Sequence, residues 1–375
     1  MSRFKLHPIP RGVLTLASWL IAASTLFMPA CGGDDADQHP ASPCSGTLKA
    51  MASATGRFAG VAVPLSVVED PVLAELAAQE FNAMSPEGEV TWQAIHQEPD
   101  RWNFRPADAV IAFAERNRMS VSAPHLLWDQ LFNHPAEWVL GITDPEEMRR
   151  VVRDHIETVM TRYAGRIARW NVVNEPHLYF TGIIYPNVFW RVLGKDYIAE
   201  AFRIAASVDS GAELWLNEIF TEYSAATADG LVNLTSSLLS QGLRVDGVGL
   251  QGHIMFGEPD YQLVDRTMRR LGDLGVKVDL SEVDMPLFLE GEEPLDLQAE
   301  VMARLVGICL DVPACQGVIW WGLHDGLSWY QYQVFNRDGL RPLLLAEDLS
   351  PKPAYLAVKR VFAEHLGCAA TVCRD

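Results

Sequence analysis

Short apolar stretches alternate with longer amphipathic stretches along the chain from about residue 57 onward. The short stretches are apolar throughout and do not alternate with polar residues, which is typical of strands buried on both faces of a parallel sheet. We therefore predict eight strands, at residues 58–63, 81–87, 120–125, 168–174, 212–217, 245–251, 276–282 and 317–322.

The segments between these strands have the apolar spacing of helices. One of them opens on TDPEEM, which supplies a capping residue, a proline at the first helical position and acids in the first turn. The predicted helices span residues 70–80, 106–118, 144–164, 194–208, 225–241, 258–274, 296–311 and 353–365. Eight strand–helix units predict an α/β protein with one (β/α)8 barrel domain at residues 57–375. A doubly wound open sheet is the alternative, but no GxGxxG motif follows a predicted strand.

The N-terminus has the pattern of an export signal. Basic residues precede an apolar run from about Val13 to Met28, which is short for a membrane-spanning helix. We predict a signal peptide at residues 1–30.

A cysteine follows this run directly. Pro29-Ala30 followed by Cys31 resembles a bacterial lipobox, so Cys31 is a candidate for lipidation, with plain cleavage near Ala30 as the alternative. The small and polar residues that follow predict a flexible tether at residues 31–56. The expected location is the bacterial cell envelope, as a lipoprotein, or the outside of the cell.

Composition and charge narrow the class of partner. The chain has 375 residues, of which 49% are hydrophobic and 21% charged, and its formal net charge is −18. This acidic balance disfavours nucleic acid and anionic membrane surfaces, and it leaves a lipid anchor as the expected membrane contact. A neutral ligand fits better, and we expect a monomer. Because no Cys/His cluster has zinc spacing, neither a metal site nor a cofactor is predicted.

Export implies an oxidising compartment in which disulfides form. Cys309 and Cys315 lie in CLDVPAC, and Cys368 and Cys373 lie in CAATVC. Both spacings allow local bridges, which would leave Cys44 over. The connectivity itself stays open, because sequence alone does not determine it.

Polar residues occur where the predicted strands end. In a (β/α)8 barrel the carboxyl ends of the strands form the active-site face. These ends carry His125, Asn174 with Glu175, Asn217 with Glu218, Gln251 with His253, Glu282 with Asp284, and Trp321. The pattern predicts an active site at that face.

Two of these residues are candidates for the chemistry. Glu175 follows the fourth predicted strand and Glu282 ends the seventh, on roughly opposite sides of the barrel, so their side chains can converge across its mouth. A facing pair of carboxyl groups is the minimum equipment for glycoside hydrolysis. No serine nucleophile elbow, metal set or phosphate loop competes with this interpretation.

Several motifs in order resemble glycoside hydrolase family 10, the family of endo-β-1,4-xylanases, and the resemblance runs from about residue 70 to residue 365. They are FNAMSPEGEVTW, WNVVNEP, VLGKDYIAEAF followed by AELWLNE, DGVGLQGH, LSEVD, CLDVPACQGVIWWGLHDGLSW and PLLLAEDLSPKPAY. WNVVNEP is similar to the acid/base motif of that family, and LSEVD to its nucleophile motif.

The resemblance implies a retaining hydrolase that acts by double displacement, with Glu175 as general acid/base and Glu282 as nucleophile. Asn174 would bind the 2-hydroxyl of the reacting sugar, and His253 and Asp284 would orient Glu282. The other substrate-binding residues that we expect are Glu87, His125, Trp128, Asn217, Gln251, Trp321 and Trp329.

Departures from the family pattern concern sugar recognition. Gly88 and Thr91 stand where the family has Asn and Lys. Pro124 and Asp129 stand at two usual His positions, and Asn171 stands at a usual Asp. A shift of one residue in the backbone would let His125 replace the missing imidazole, if its side chain points into the barrel.

Each lost sugar hydrogen bond is worth roughly 0.5–1.5 kcal/mol, so several losses together would weaken sugar binding by orders of magnitude or redirect it to another glycan. The main prediction is an endo-acting β-glycanase, foremost an endo-1,4-β-xylanase. One alternative is a retaining hydrolase of another β-linked glycan or oligosaccharide. The other is a non-catalytic, carbohydrate-binding lipoprotein.

Overall fold

A computed structural model describes residues 44, 46–122, 125–131, 133–289 and 291–368, without the side chain of Tyr332. The predicted signal peptide, the lipidation candidate Cys31 and the disulfide candidate Cys373 lie outside these residues.

All strands among the described residues lie in one parallel sheet. They are β1 (Phe58–Val63), β2 (Ala83–Pro86), β3 (Ser120–Val121), β4 (His125–Leu127), β5 (Arg169–Asn174), β6 (Glu213–Glu218), β7 (Gly247–Leu250), β8 (Lys277–Val283) and β9 (Cys315–Trp320). Their order in the sheet is β3-β2-β1-β9-β8-β7-β6-β5-β4.

The two edge strands belong to one predicted strand, at residues 120–125. The amide of Ser122 donates to the Met84 carbonyl on one side (2.9 Å), and the Val121 carbonyl accepts from the amide of Ala168 on the other (3.0 Å). The sheet therefore closes on itself, and the prediction of a single (β/α)8 domain is confirmed.

Helices surround the sheet. They are α1 (Leu48–Ala54), α2 (Leu65–Glu69), α3 (Pro71–Glu80), α4 (Trp92–Ile95), α5 (Arg105–Arg116), α6 (Glu137–Leu140), α7 (Pro145–Arg162), α8 (Val188–Leu193), α9 (Tyr197–Val208), α10 (Ala225–Ser240), α11 (Tyr261–Asp273), α12 (Glu293–Asp311) and α13 (Pro353–His365), with a 3-10 turn at Asp325–Leu327 and a π-helical turn at Tyr330–Val334. The eight predicted helices correspond to α3, α5, α7 and α9 to α13, with ends that agree within three residues. As the sequence predicts, the side chain of Asp144 caps α7 by accepting from the amide of Glu147 (2.8 Å).

The two ends of the barrel differ in chemistry. At the amino end of β5, Arg169 pairs with the buried carboxylate of Asp279 (2.7 Å), and its guanidinium lies over the rings of Phe58 and Trp215. A buried charge needs a partner, and this pair satisfies that need inside the barrel. The amino end is thus closed by structural contacts, and the polar strand ends lie at the opposite end.

The predicted tether extends too far. Its last part, within residues 31–56, contains helix α1, in which Leu48, Met51 and Ala52 are buried. Thr47 caps this helix, and the Leu48 amide donates to the carboxylate of Glu80 in α3 (3.1 Å). The folded domain therefore begins near residue 47, because three apolar side chains of this short segment pack against the barrel.

One disulfide matches the expectation and one corrects it. Cys309 at the end of α12 is bonded to Cys315 at the start of β9. Cys368, however, is bonded to Cys44 rather than to Cys373. Helices α1 and α13 pack against each other, which brings two cysteines 324 residues apart in sequence to within bonding distance. Among the described residues, no helix is both long and apolar enough to cross a membrane.

Candidate active site

The end of β5 turns sharply at Glu175. This residue has a φ of +48°, a left-handed conformation that is uncommon outside glycine. The Glu175 amide donates to the Asn217 carbonyl (2.8 Å), and the side-chain amide of Gln130 donates to the carbonyls of Glu175 (3.2 Å) and His177 (2.7 Å). These bonds hold a strained backbone in place, which is a feature of functional sites.

The Glu175 carboxyl is 4% exposed and has three polar neighbours. Oε1 accepts from Gln251 Nε2 (3.1 Å) and Asn174 Nδ2 (3.3 Å), and Oε2 accepts from the Tyr179 hydroxyl (3.0 Å). Burial raises the pKa of Glu175 to about 7, and the carboxylates of Glu218 and Glu282 act in the same direction, against the bonds from Gln251 and Tyr179. Glu175 can therefore carry a proton near neutral pH.

The Glu282 carboxyl, also 4% exposed, has donors on both oxygens. Asn217 Nδ2 donates to Oε1 (2.6 Å), and His253 Nε2 donates to Oε2 (3.2 Å). Two side-chain donors therefore hold the Glu282 carboxylate in place, one on each oxygen.

His253 connects Glu282 to a second buried carboxylate. Its Nδ1 donates to Asp284 Oδ1 at 2.8 Å, and Asp284 also accepts from the Tyr330 hydroxyl (2.7 Å) and from Trp329 Nε1 (2.8 Å). Burial lowers the pKa of His253, but the charges and bonds of Asp284 and Glu282 outweigh it and raise this pKa to about 10. His253 is therefore an imidazolium that donates from both nitrogens.

Two asparagines link the halves of the site. Asn217 Nδ2 donates to Asn174 Oδ1 (2.8 Å) as well as to Glu282, and Asn217 Oδ1 accepts from the Ser281 hydroxyl (2.6 Å). Both amide hydrogens of Asn217 are thus used within the protein. Asn217 and Gln251 act on the two carboxyl groups themselves, in addition to lining the site.

His125 points into the barrel, which answers the question that the shifted motif raised. Its Nε2 lies 4.0 Å from Glu282 Oε1, and its Nδ1 lies 3.3 Å from the side-chain amide of Asn171. Burial lowers the pKa of His125, with the charge of Glu282 opposing that effect. A neutral imidazole therefore stands beside Glu282, although Pro124 itself lies outside the described residues.

The other departures from the family pattern are used in local structure. Asp129 is buried, with one oxygen 2.6 Å from His134 Nδ1 and the other accepting from the Val188 amide (2.6 Å). The Thr91 hydroxyl donates to the carbonyl of Gly88 (2.8 Å) in the turn before α4. Glu87, which the chain shares with the family pattern, is half-buried immediately after β2.

Indole rings lie around the histidines of the site. Trp128 lies 5.2 Å from the ring of His125, Trp321 lies 6.3 Å from the rings of both His125 and His253, and Trp329 lies 4.8 Å from that of His253. Aromatic rings supply flat apolar faces on which sugars can pack.

Several residues of the site have no motif in the sequence. Tyr179 and Tyr330 bind Glu175 and Asp284, and His177 forms a buried pair with Glu218. Tyr179 lies only four residues after Glu175, but a single tyrosine in a loop forms no sequence motif that would predict its contact with Glu175. These contacts depend on how loops from different strands meet.

A phenylalanine cluster, Phe180, Phe220 and Phe256, lies next to Tyr179. Its ring centroids are 4.6–5.9 Å apart, and the ring of Phe220 meets that of Tyr179 edge-on at 5.1 Å. Phe180 is 44% exposed and Phe256 is 61% exposed. The cluster extends an apolar surface outward from the Glu175 side of the site.

A buried acid faces a hydrogen-bonded carboxylate at the mouth of a (β/α)8 barrel, with imidazole, amide and indole groups around them. Fold and site together define a barrel glycoside hydrolase.

Comparisons with known proteins agree with the class of a barrel glycoside hydrolase. The sequence profile of Glycosyl hydrolase family 10 matches residues 47–361. Endo-1,4-beta-xylanase B of Thermotoga neapolitana is 32% identical over 295 residues, which cover 78% of this chain and 84% of that protein. Endo-1,4-beta-xylanase A of Humicola insolens is 36% identical over 283 residues, or 74% of this chain and 73% of that protein. The chain belongs to glycosyl hydrolase family 10.

Solved structures give the same result. Native xylanase 10B from Thermotoga maritima has a TM-score of 0.80 and 34% identity, covering 86% of this chain and 99% of that one. Xylanase 10B from Thermotoga petrophila RKU-1, solved in complex with xylobiose, has a TM-score of 0.79 and 33% identity, covering 85% and 97%.

Proposed function

We propose that the protein is a retaining, endo-acting β-1,4-xylanase with Glu175 as general acid/base and Glu282 as nucleophile. The observation that carries this proposal is the contrast between the two glutamates. Burial and neighbouring carboxylates favour the protonated form of Glu175, whereas Asn217 and His253 donate hydrogen bonds to the two oxygens of Glu282. Two carboxyl groups with opposed surroundings are what acid-assisted displacement requires.

In the first step a Glu282 oxygen attacks the anomeric carbon while Glu175 gives its proton to the leaving oxygen. The glycosidic bond breaks, and an ester bond forms between Glu282 and the sugar. Its two donors, Asn217 and His253, hold the attacking carboxylate in place, so little reorganisation is needed.

In the second step Glu175 takes a proton from water, whose oxygen attacks the same carbon and releases Glu282. The ester has no charge, so the repulsion that Glu282 exerts on Glu175 is gone at this stage. Glu175, which gave its proton to the leaving oxygen in the first step, therefore stays ionised more easily and serves as the base. Two displacements at one carbon retain its configuration.

The reacting sugar would contact the polar and indole groups around the pair. Asn174, between Glu175 and Asn217, is suited to bind the 2-hydroxyl. His125 and Glu87 are suited to bind other hydroxyls, and Trp128, Trp321 and Trp329 supply apolar faces. Asp284 acts through His253 rather than on the sugar.

An extended binding surface supports endo action. The phenylalanine cluster continues from Tyr179, which binds the proposed acid, toward solvent. A chain whose leaving-group portion runs on past Glu175 would pack its sugar faces there. An enzyme that removes single terminal sugars has no need of such a surface.

Xylan is the proposed substrate because the relatives are named endo-1,4-beta-xylanases and one relative was crystallised with xylobiose. The changes at Gly88 and Thr91 favour a second candidate, a retaining hydrolase of another β-linked glycan, since two sugar ligands of the family are missing there.

Hydrolysis assays separate these functions. Reducing-sugar release from xylan, mixed-linkage glucan and aryl β-xylosides is expected to be greatest for xylan, and Glu282→Ala should abolish it. Release from mixed-linkage glucan alone would select the second candidate. If no substrate is cleaved but xylan still raises the melting temperature, the protein is a sugar-binding protein and the proposal is wrong.

We also propose that the protein is exported, either anchored through lipidated Cys31 or secreted, and that it is a monomer. The two disulfides, Cys44–Cys368 and Cys309–Cys315, support an oxidising compartment. Mass spectrometry of the mature N-terminus tests the anchor: a diacylated Cys31 supports it, and an unmodified N-terminus contradicts it.

A further inference from the structure

A buried carboxylate–imidazole pair lies directly behind the Glu175 turn. Glu218, the last residue of β6, is fully buried, and its Oε2 lies 2.6 Å from His177 Nδ1. The same oxygen accepts from the His177 backbone amide (3.2 Å), and Oε1 accepts from the Ile219 amide (3.0 Å). Three N–H groups therefore donate to one carboxylate and hold it in place.

The backbone ties this pair to Glu175. The carbonyl of Asn217, the residue before Glu218, accepts from the Glu175 amide. His177 lies two residues after Glu175, and Gln130 binds the carbonyls of both. The position of Glu218 relative to the Glu175 side chain is thus fixed by hydrogen bonds on two neighbouring strands.

The charge of Glu218 raises the pKa of Glu175 more than the charge of Glu282 does. Burial is the largest cause of the raised pKa, and Glu218 comes before Glu282 among the charges that add to it. Only one of the two charges changes during the reaction. Glu282 becomes neutral when it is glycosylated, whereas Glu218 keeps its charge because its hydrogen bonds described above are all to protein groups.

We propose that Glu218, held by His177, is a positioning residue that supplies a permanent negative charge behind Glu175 and keeps Glu175 in its acid form. The inference rests on the proposed acid/base role of Glu175. The pair touches neither the sugar nor the reacting atoms.

The division of labour follows from the charges. Glu282 supplies the part of the repulsion that changes during the reaction, and Glu218 supplies the constant part. The constant part favours a protonated Glu175 when substrate arrives, and it makes the Glu175 carboxylate a stronger base toward water in the second step.

Other groups also face Glu175. Gln251 from the end of β7 and Tyr179 from the loop after β5 donate to it, and Glu282 from β8 repels it. Within the pair, His177 Nδ1 is the donor and Glu218 Oε2 the acceptor.

The test replaces the charge and keeps the shape. In Glu218→Gln we expect the alkaline limb of kcat/KM for an unactivated xylooligosaccharide to move down by roughly one pH unit, because a nearby charge shifts a pKa by about that amount. At pH 5 the activity should stay within about threefold of wild type, since Glu175 is then protonated in both proteins. For a dinitrophenyl β-xyloside, whose leaving group needs little protonation, the rate of glycosyl-enzyme formation should stay close to that of wild type, both at pH 5 and on the alkaline limb.

Glu218→Asp is the matched variant, because it keeps the charge and should keep the limb close to that of wild type. A structural role alone would lower activity equally at all pH values. An unchanged limb in Glu218→Gln, or an upward shift, overturns the proposal.

A direct readout covers the cases in which a variant is unstable or the enzyme does not act on xylan. Carbon-13 NMR of side-chain carboxyls follows the titration of Glu175, whose signal is identified by its loss in Glu175→Gln. In folded Glu218→Gln the Glu175 signal should titrate at a lower pH than in wild type. In folded Glu218→Asp it should titrate close to the wild-type pH. If no glycoside is cleaved, the proposed function fails, but a downward shift of the Glu175 signal in Glu218→Gln still supports the charge effect, and no shift contradicts it.

Discussion

His253 and Asp284 form an ion pair that is closed to solvent, with His253 Nδ1 2.8 Å from Asp284 Oδ1. The pair leaves His253 Nε2 free to donate to the Glu282 carboxylate, 3.2 Å away. The geometry of the proposed nucleophile is therefore set by a residue that does not contact it, Asp284.

Removing the Asp284 charge should lower the pKa of His253 and weaken its bond to Glu282. We expect Asp284→Asn to reduce kcat/KM on the order of 10- to 100-fold, because one charge-assisted hydrogen bond is worth about 1.5–3 kcal/mol. Pre-steady-state kinetics with an activated aryl glycoside would measure the loss in the first step, where Glu282 attacks.

Asp273→Asn, at an exposed position at the end of α11, is the control and should act like wild type. If Asp284→Asn attacks an activated substrate as fast as wild type does, the orienting role of Asp284 is contradicted.

The pH dependence should follow Glu175. Because its pKa is raised to about 7 and the protonated form is the acid, kcat/KM should fall as the pH rises through about 7. A pH–rate profile of the free enzyme on an unactivated substrate measures this limb. An alkaline limb with a pKa near the ordinary glutamate value, instead of near 7, would contradict the assignment.

The same group should make the protein less stable at high pH. The native state holds the Glu175 proton between the unfolded pKa of 4.5 and the folded pKa of about 7, so stability decreases with rising pH across this window. Glu175→Gln removes the decrease, and its advantage over wild type should grow from near zero below pH 4.5 to about 3 kcal/mol above pH 7. Denaturant unfolding at pH 4, 6 and 8 measures it; an advantage equal at all three values would contradict the prediction.

The Cys44–Cys368 bond should stabilise the domain by joining segments next to α1 and α13. Changing both residues to Ser should cost about 2–4 kcal/mol and lower Tm by roughly 5–10 °C, because the unfolded chain regains the freedom of a very long loop. Calorimetry with and without reductant tests this, with reduced wild type as the comparison. A Cys368–Cys373 bridge in a non-reducing peptide map would contradict the pairing.

Sugar affinity should increase when the missing family ligands are restored. A Cβ at Gly88 would meet open space, and Thr91 makes one bond to the Gly88 carbonyl, so the site can accept Gly88→Asn with Thr91→Lys. We expect KM for xylooligosaccharides to fall roughly 10-fold, since a charged donor adds about 1.5 kcal/mol or more, while kcat changes little.

Thr91→Met in place of Thr91→Lys provides a chain of similar length without a donor, and it should give no gain. An equal gain from Met would show that the effect is apolar contact rather than hydrogen bonding.

The barrel was predictable from sequence because its strands are continuous apolar runs. The stretch at 58–63 matches β1 at both ends, and the strand-end positions of Glu175 and Glu282 follow from the same periodicity. Helix α1 was missed because seven residues rich in alanine carry little periodicity of their own, and its burial depends on α3 and α13.

The parts of the site that were missed are contacts between loops of different strands. His177 and Glu218 are 41 residues apart, and Asp284 and Tyr330 are 46 apart, so no spacing rule relates them. The orientation of His125 was equally undecidable, because one residue of shift in a strand reverses the side-chain direction.

Covalent trapping of the nucleophile tests the central claim most directly. A dinitrophenyl 2-deoxy-2-fluoro-β-xylobioside should form a glycosyl-enzyme that persists, because the fluorine at the 2-position slows its hydrolysis. Peptide mass spectrometry should then find one fluoroxylobiosyl group on Glu282. A label on any other residue, or turnover with inversion and no covalent adduct, would contradict the double displacement by Glu175 and Glu282.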